Sequence, residues 1–178
     1  ALRSTDGPRT DVQDIARWRY YTQDAPGCAQ AGGSCAWRRG DLYQHTDAAG
    51  NTQTFLAYDA AGRLLHSADA NGLHSHREYS PRGQLLQLRL VDGSIERITQ
   101  YSYLPGGQLL RVTQPDGSWL QWQYDAAWRP VSVADAAGNR QQFTRDAMCN
   151  IIEEQIRDAG NVIVYQHSRV YDAAGRLV

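Results

Sequence analysis

Tyr58-Asp59-Ala60-Ala61-Gly62-Arg63-Leu64 returns letter for letter at Tyr171 to Leu177. Between the two lie four degenerate copies: Tyr79-Ser-Pro-Arg-Gly-Gln-Leu, Tyr103-Leu-Pro-Gly-Gly-Gln-Leu, Tyr124-Asp-Ala-Ala-Trp-Arg-Pro and Arg145-Asp-Ala-Met-Cys-Asn-Ile. Successive copies begin 21, 24, 21, 21 and 26 residues apart. Fixed-period self-similarity of this kind marks a repeat architecture, in which each unit buries its faces against its neighbours. A second signal falls about halfway between copies, at Asp47-Ala-Ala-Gly, Asp69-Ala-Asn-Gly, Asp92-Gly, Asp116-Gly, Asp135-Ala-Ala-Gly and Asp158-Ala-Gly. Aspartate bonds its own backbone two residues on, and glycine accepts the positive φ that closes a tight turn. Turns are therefore expected every 9 to 14 residues, the spacing of short antiparallel strands.

The segments between turns alternate. Leu86, Leu88 and Leu90 form one such set, Leu110 and Val112 another, and Leu120, Trp122 and Tyr124 a third. Period-two alternation places each set on one face of a strand. The expected fold is all-β, an antiparallel meander of about twelve strands forming a curved sheet. Residues 47–178 carry the repeat. Residues 1–46 read as an N-terminal β segment continuous with it, where the aromatic run Trp18-Arg-Tyr-Tyr favours strand over the helical spacing of Val12, Ile15 and Ala16.

The tyrosine-aspartate corner, the following Gly-Arg-Leu or Gly-Gln-Leu and the period of about 22 residues resemble the RHS/YD-repeat family. The resemblance implies a strand-turn-strand ribbon that spirals into a hollow shell around a C-terminal toxin domain, as in polymorphic toxins and toxin-complex proteins, with more distant likeness to teneurins. It implies a structural wall segment without catalysis of its own. The implied partners are neighbouring repeats, the enclosed toxin and secretion-system or toxin-complex subunits. A secreted or translocated protein is implied, its signal outside this segment. The residues expected to matter are the corner tyrosines Tyr58, Tyr79, Tyr103, Tyr124 and Tyr171 and the corner glycines Gly62, Gly83, Gly107 and Gly175. Two copies depart from the pattern, with Trp128 and Cys149 where glycine is expected, and looser turns are expected there. The family's self-cleaving core carries an Asp-Pro motif, and this sequence contains no Asp-Pro dipeptide. The last residues open a repeat at Tyr171, so the wall is expected to continue.

Composition narrows the alternatives. A net charge of −1 with no long basic run gives no footprint for nucleic acid. No stretch approaches the roughly 18 apolar residues that would span a membrane. The 18 basic residues are all arginine, which suits stacking on tyrosine-rich sheets, although codon preference would produce the same bias. Cys28 and Cys35 bracket Ala-Gln-Ala-Gly-Gly-Ser, flexible enough to let the thiols meet as a disulfide in an oxidising compartment. No cofactor or metal is expected: a closed zinc site needs four ligands and the spacing supplies none.

Ten of the 19 acidic residues fall in turn signals, which gives them a structural task and leaves no reason to pair any two for acid-base work. His74 and His76, two apart on a strand, read as a solvated polar face rather than a metal pair. Cys149 with His167 lacks the electropositive setting of a catalytic thiol. The rival function is a carbohydrate-binding surface on a cell-surface or secreted protein, with Trp119, Trp122 and Trp128 stacking on sugar rings. Cross-strand packing of the same aromatics is the plainer reading.

Overall fold

The computed structural model describes residues 2–7, 15–29 and 35–178. Fourteen strands follow one another: β1 (Leu2–Asp6), β2 (Ile15–Tyr20), β3 (Leu42–Thr46), β4 (Thr52–Tyr58), β5 (Leu64–Ala68), β6 (His74–Tyr79), β7 (Leu85–Asp92), β8 (Ile95–Tyr103), β9 (Leu109–Thr113), β10 (Trp119–Tyr124), β11 (Pro130–Asp135), β12 (Arg140–Arg145), β13 (Ile151–Arg157) and β14 (Ile163–Ser168). They form one antiparallel sheet in unbroken sequence order. A 3-10 turn at Pro26–Ala29 is the only helical element among the described residues. Two more strands are present than the roughly twelve expected, because the N-terminal segment contributes β1 and β2 ahead of the first recognised turn. Ile15–Tyr20 is strand, and residues 11–14, where the helical spacing begins, lie outside the described residues.

The chain divides into two compact units, Ala1–Ile98 and Thr99–Val178. In the first, β3 pairs across the expected boundary at residue 46 with β4, Thr46 opposite Thr52, so the N-terminal strands belong to the same ladder as the repeats. In the second, β9 to β14 run as a plain meander, with Gln142 opposite Ser132 on one side and Gln155 on the other.

Little is fully buried. Among the described residues, Ala25 is the one buried apolar side chain, with Ser67 and Ser132 the buried polar ones. Within each unit most of the described strand residues are half-buried on both faces, and strands contact their neighbours in the ladder. Each side chain therefore contributes less than the roughly 1.5–3 kcal/mol of complete burial, and ladder hydrogen bonds and cross-strand pairs carry a larger share of the stability.

One irregularity recurs. Beside several corners the pairing slips by a residue: Gln123 faces Ser132 but Tyr124 faces Pro130, which passes over Val131. The same slip passes over Leu86 next to Tyr79, Leu110 next to Tyr103, Ile152 next to Arg145 and Tyr43 next to Tyr20. The skipped residue is the second of the strand after the corner, and it forms a bulge that bends the strand and re-aims the side chain opposite.

Candidate functional site

The candidate site is the row of corners, built from the turn residues outward. In the exact copy at Asp59, one carboxylate oxygen accepts the backbone N–H groups of Ala61 and Arg63, both at 2.9 Å, and the other accepts Arg63 Nε. Gly62 N–H donates back to the Asp59 carbonyl at 3.0 Å with φ at +77°. Asp125 repeats the arrangement with Ala127 and Arg129, and Asp172 with Ala174 and Arg176. A second version puts asparagine in place of arginine: Asp47 with Asn51, Asp135 with Asn139 and Asp146 with Asn150, each joined by backbone N–H and side-chain amide. At Tyr79 the aspartate is replaced by Ser80, whose hydroxyl accepts Gln84 N–H at 3.1 Å.

These bonds hold the corner carboxylates below their ordinary range. The Asn51 amide does so for Asp47, and the Asn139 and Asn150 amides for Asp135 and Asp146. The Arg129 backbone N–H leads for Asp125, and that of Arg176 for Asp172. For Asp59 burial pushes upward, and the combined donors Arg63 and Ala61 outweigh it. Such groups are fixed anions at neutral pH, engaged by their own turns.

The expectation of looser corners at Trp128 and Cys149 gives way. Trp128 N–H and Cys149 N–H each reach the aspartate carbonyl at 3.0 Å, the same as Gly62, although both residues sit at positive φ, 62° and 71°. The aspartate clamp and flanking ladders enforce a conformation that ordinarily costs a non-glycine residue about 1–2 kcal/mol. At Asp158 it is Asn161, not Gly160, that takes the positive φ. Likewise the turn read at Asp116 starts two residues earlier, at Gln114, whose N–H donates to the Ser118 carbonyl.

The corner tyrosines tie strands together. Tyr124, at the end of β10, donates its hydroxyl to the Leu109 carbonyl at the start of β9, 2.7 Å away. Tyr58 does the same to Leu42 of β3, at 2.7 Å, and burial, followed by the charge of Asp41, raises its phenol to about 12. Tyr79 offers its ring instead, with the Arg63 guanidinium 4.9 Å from the centroid. Tyr103 borders the slipped register opposite Leu109, and Tyr171 bridges to Leu177 across the last turn. Of the corner glycines, Gly62, Gly83, Gly107 and Gly175 all have positive φ.

Sequence reasoning missed the links between corners. Arg63 clamps Asp59 and also donates to the Ser80 carbonyl of the next corner at 3.1 Å. Arg129 clamps Asp125 and reaches Cys149 Sγ at 2.6 Å. The arginine one place after the turn glycine was visible in the repeated string, but its second partner lies about one period away and leaves no local mark. Tyr21 was missed as well. It stacks on Trp37 with centroids 4.6 Å apart and donates to the Phe55 carbonyl at 2.8 Å, fastening the loop after β2 to β4. In that loop Cys28 and Cys35 are joined as a disulfide, with Cα atoms 4.3 Å apart.

The three tryptophans do not make a common platform. Trp119 faces Thr113 and lies under the Arg111 guanidinium at 4.2 Å, whereas Trp122, three residues on and opposite Val133, points to the other face. Trp128 sits on a corner. His74 and His76 acquire a third ring, His66, directly opposite His76. No group of three or more His, Cys, Asp or Glu side chains among the described residues is arranged to hold a metal ion.

The RHS Repeat family model matches residues 37–74, 58–95 and 103–140, more than half of the chain. The chain belongs to the RHS repeat family. Among curated relatives, this RHS chain is 33% identical over 133 residues to Double-stranded DNA deaminase toxin A of Burkholderia cenocepacia, covering 75% of this chain and 9% of that protein. It is 34% identical over 105 residues to the Probable deoxyribonuclease RhsA of Dickeya dadantii, covering 57% of this chain and 7% of that one. Among solved structures, TcdB2-TccC3-Cdc42 superposes with a TM-score of 0.62 at 15% identity, over 94% of this chain and 12% of that one. The Photorhabdus luminescens Tc holotoxin pore gives 0.63 at 15%, over 93% and 11%. The fold of the RHS chain is thus that of these toxin-complex proteins, and it spans about a tenth of the length of the proteins it matches.

Proposed function

We propose that this RHS chain is a stretch of wall in a shell that encloses or carries a toxin domain for delivery, and that it has no catalysis of its own. The observation that carries the reading is the row of linked corners: aspartates such as Asp59, Asp125 and Asp172 are bonded within their own turns, and arginine and tyrosine join one corner or strand to the next. Such a sheet gains stability by extension. The relatives, a deaminase toxin and a probable deoxyribonuclease, support a toxic partner domain elsewhere in a longer protein. Neighbouring repeats, that domain and secretion-system or toxin-complex subunits are the partners this reading requires, in a protein that is secreted or translocated.

The test is protease protection in the full-length protein. The domain that follows the repeats is expected to resist protease while the shell is intact and to be digested when Tyr58→Ala and Tyr124→Ala are combined. Equal digestion of that domain in the unaltered protein would refute enclosure.

A further inference from the structure

His66, His74 and His76 share one face of the β5–β6 ladder. His66 Nε2 and His74 Nδ1 stand 2.9 Å apart, and the His66 and His76 rings stack with centroids at 4.0 Å. Arg89 opposes the charging of His66 and His76, and Glu96 partly offsets it at His76. On β7, Arg89 lies opposite His76 and Val91 opposite His74. On β8, Glu96 is engaged by Arg89 at 3.0 Å. On the other side β4 presents Ala57 and Thr54, neither of which titrates. On β6 itself, Glu78 follows His76 by two and is exposed. Among the described residues no carboxylate forms an ion pair with any of the three rings, although the charge of Glu96 reaches His76.

A 2.9 Å contact between two ring nitrogens holds one proton. A neutral pair shares it, and a singly charged pair still can, with the imidazolium donating to its neutral neighbour. A second proton sets N–H against N–H, beside a third ring stacked at 4.0 Å and a guanidinium. We propose that the three histidines are an acid-sensitive latch, which holds β5 to β6 when neutral and loosens that part of the sheet when protonated. Burial, then the other rings and Arg89, lower the His66 titration; burial, then Arg89 and His74, lower that of His76 against an opposing pull from Glu96. A folded-state value below the unfolded one means that the stability is present above about pH 6.5 and is lost as pH falls through the lowered values. The inference stands on the cluster's geometry and holds whether or not the wall encloses a cargo.

Hydrogen exchange read by mass spectrometry on the full chain tests it, at about pH 7.5 and about pH 5.5 with correction for intrinsic rates. Peptides spanning 64–79 are expected to lose protection at the lower pH while those spanning 109–145 keep theirs. The combined variant H66Q/H74Q/H76Q is expected to show no such loss. Unchanged protection of 64–79 in the unaltered chain, or the same loss in the variant, overturns the latch. Should the triple variant not fold, NMR titration of the unaltered chain decides: depressed values for His66 and His76 uphold it, and ordinary values for all three rings overturn it.

Discussion

At the scale of single residues, the position three after the corner aspartate offers a paired experiment. Gly62 has open space around the point where a Cβ would sit, so Gly62→Ala meets only the backbone penalty at φ +77°. A loss of about 1 kcal/mol is expected in urea denaturation. Cys149→Gly is the converse and is expected to stabilise, by up to about 1 kcal/mol less whatever its contact with Arg129 contributes. Tyr124→Phe keeps the ring and deletes only the hydroxyl that reaches Leu109. That change is expected to cost about 0.5–1.5 kcal/mol by the same measurement. The corner aspartates add a pH dependence of definite sign. Their folded-state values lie below the ordinary 3.8, so their contribution is complete above that value and fades as pH falls through the lowered ones. Asp125→Asn is expected to flatten that acid limb of a stability-pH profile.

At the scale of elements, the disulfide loop and the ladders behave differently. The bridge between Cys28 and Cys35 closes a sequence separation of 7, for which chain-entropy reasoning gives about 2–2.5 kcal/mol. Replacing both cysteines by serine is expected to lower the melting temperature and to speed exchange first around Tyr21 and Trp37, which that loop positions. How much of this was legible in the sequence depended on range. The turns were readable because aspartate, glycine and the donor four residues on act within five positions. The strands between them were readable because alternation is also local. The partner of Arg63 at Ser80, the ring of His66 under His76 and the reach of Tyr21 to Phe55 all cross strands, where register decides who meets whom. Register shifts at Leu86 or Val131 carry no signature beyond a pair of adjacent apolar residues, and those read equally well as ordinary strand. The same shortfall explains the tryptophans: Trp119 and Trp122 look like one cluster in a string of letters and lie on opposite faces in the sheet.

At the scale of the whole molecule, the fourteen strands among the described residues share scarcely any buried core, and stability is spread thinly along them. Contacts between neighbouring strands dominate such a sheet, so its parts are expected to open separately rather than in one all-or-none step. Strand β14 is exposed along its length, and Val162, Val164 and Tyr165 are exposed apolar residues on or beside it. An open edge of this kind pairs readily with other chains. Val164→Lys is expected to reduce concentration-dependent self-association of this chain in light scattering, with circular dichroism unchanged.

The skipped residues beside the corners bear on how such repeats diverge. In an unbroken ladder, one inserted residue exchanges the inward and outward sides of everything that follows. Here several corners already absorb one residue on a single strand, at Leu86, Leu110, Val131 or Ile152, and the Tyr58 corner passes over Leu56 on one strand and Leu65 on the other, with alternation resumed beyond. Errors of length can be corrected at the next corner instead of travelling down the chain. A lineage built this way can drift in spacing and in sequence while keeping its two faces distinct.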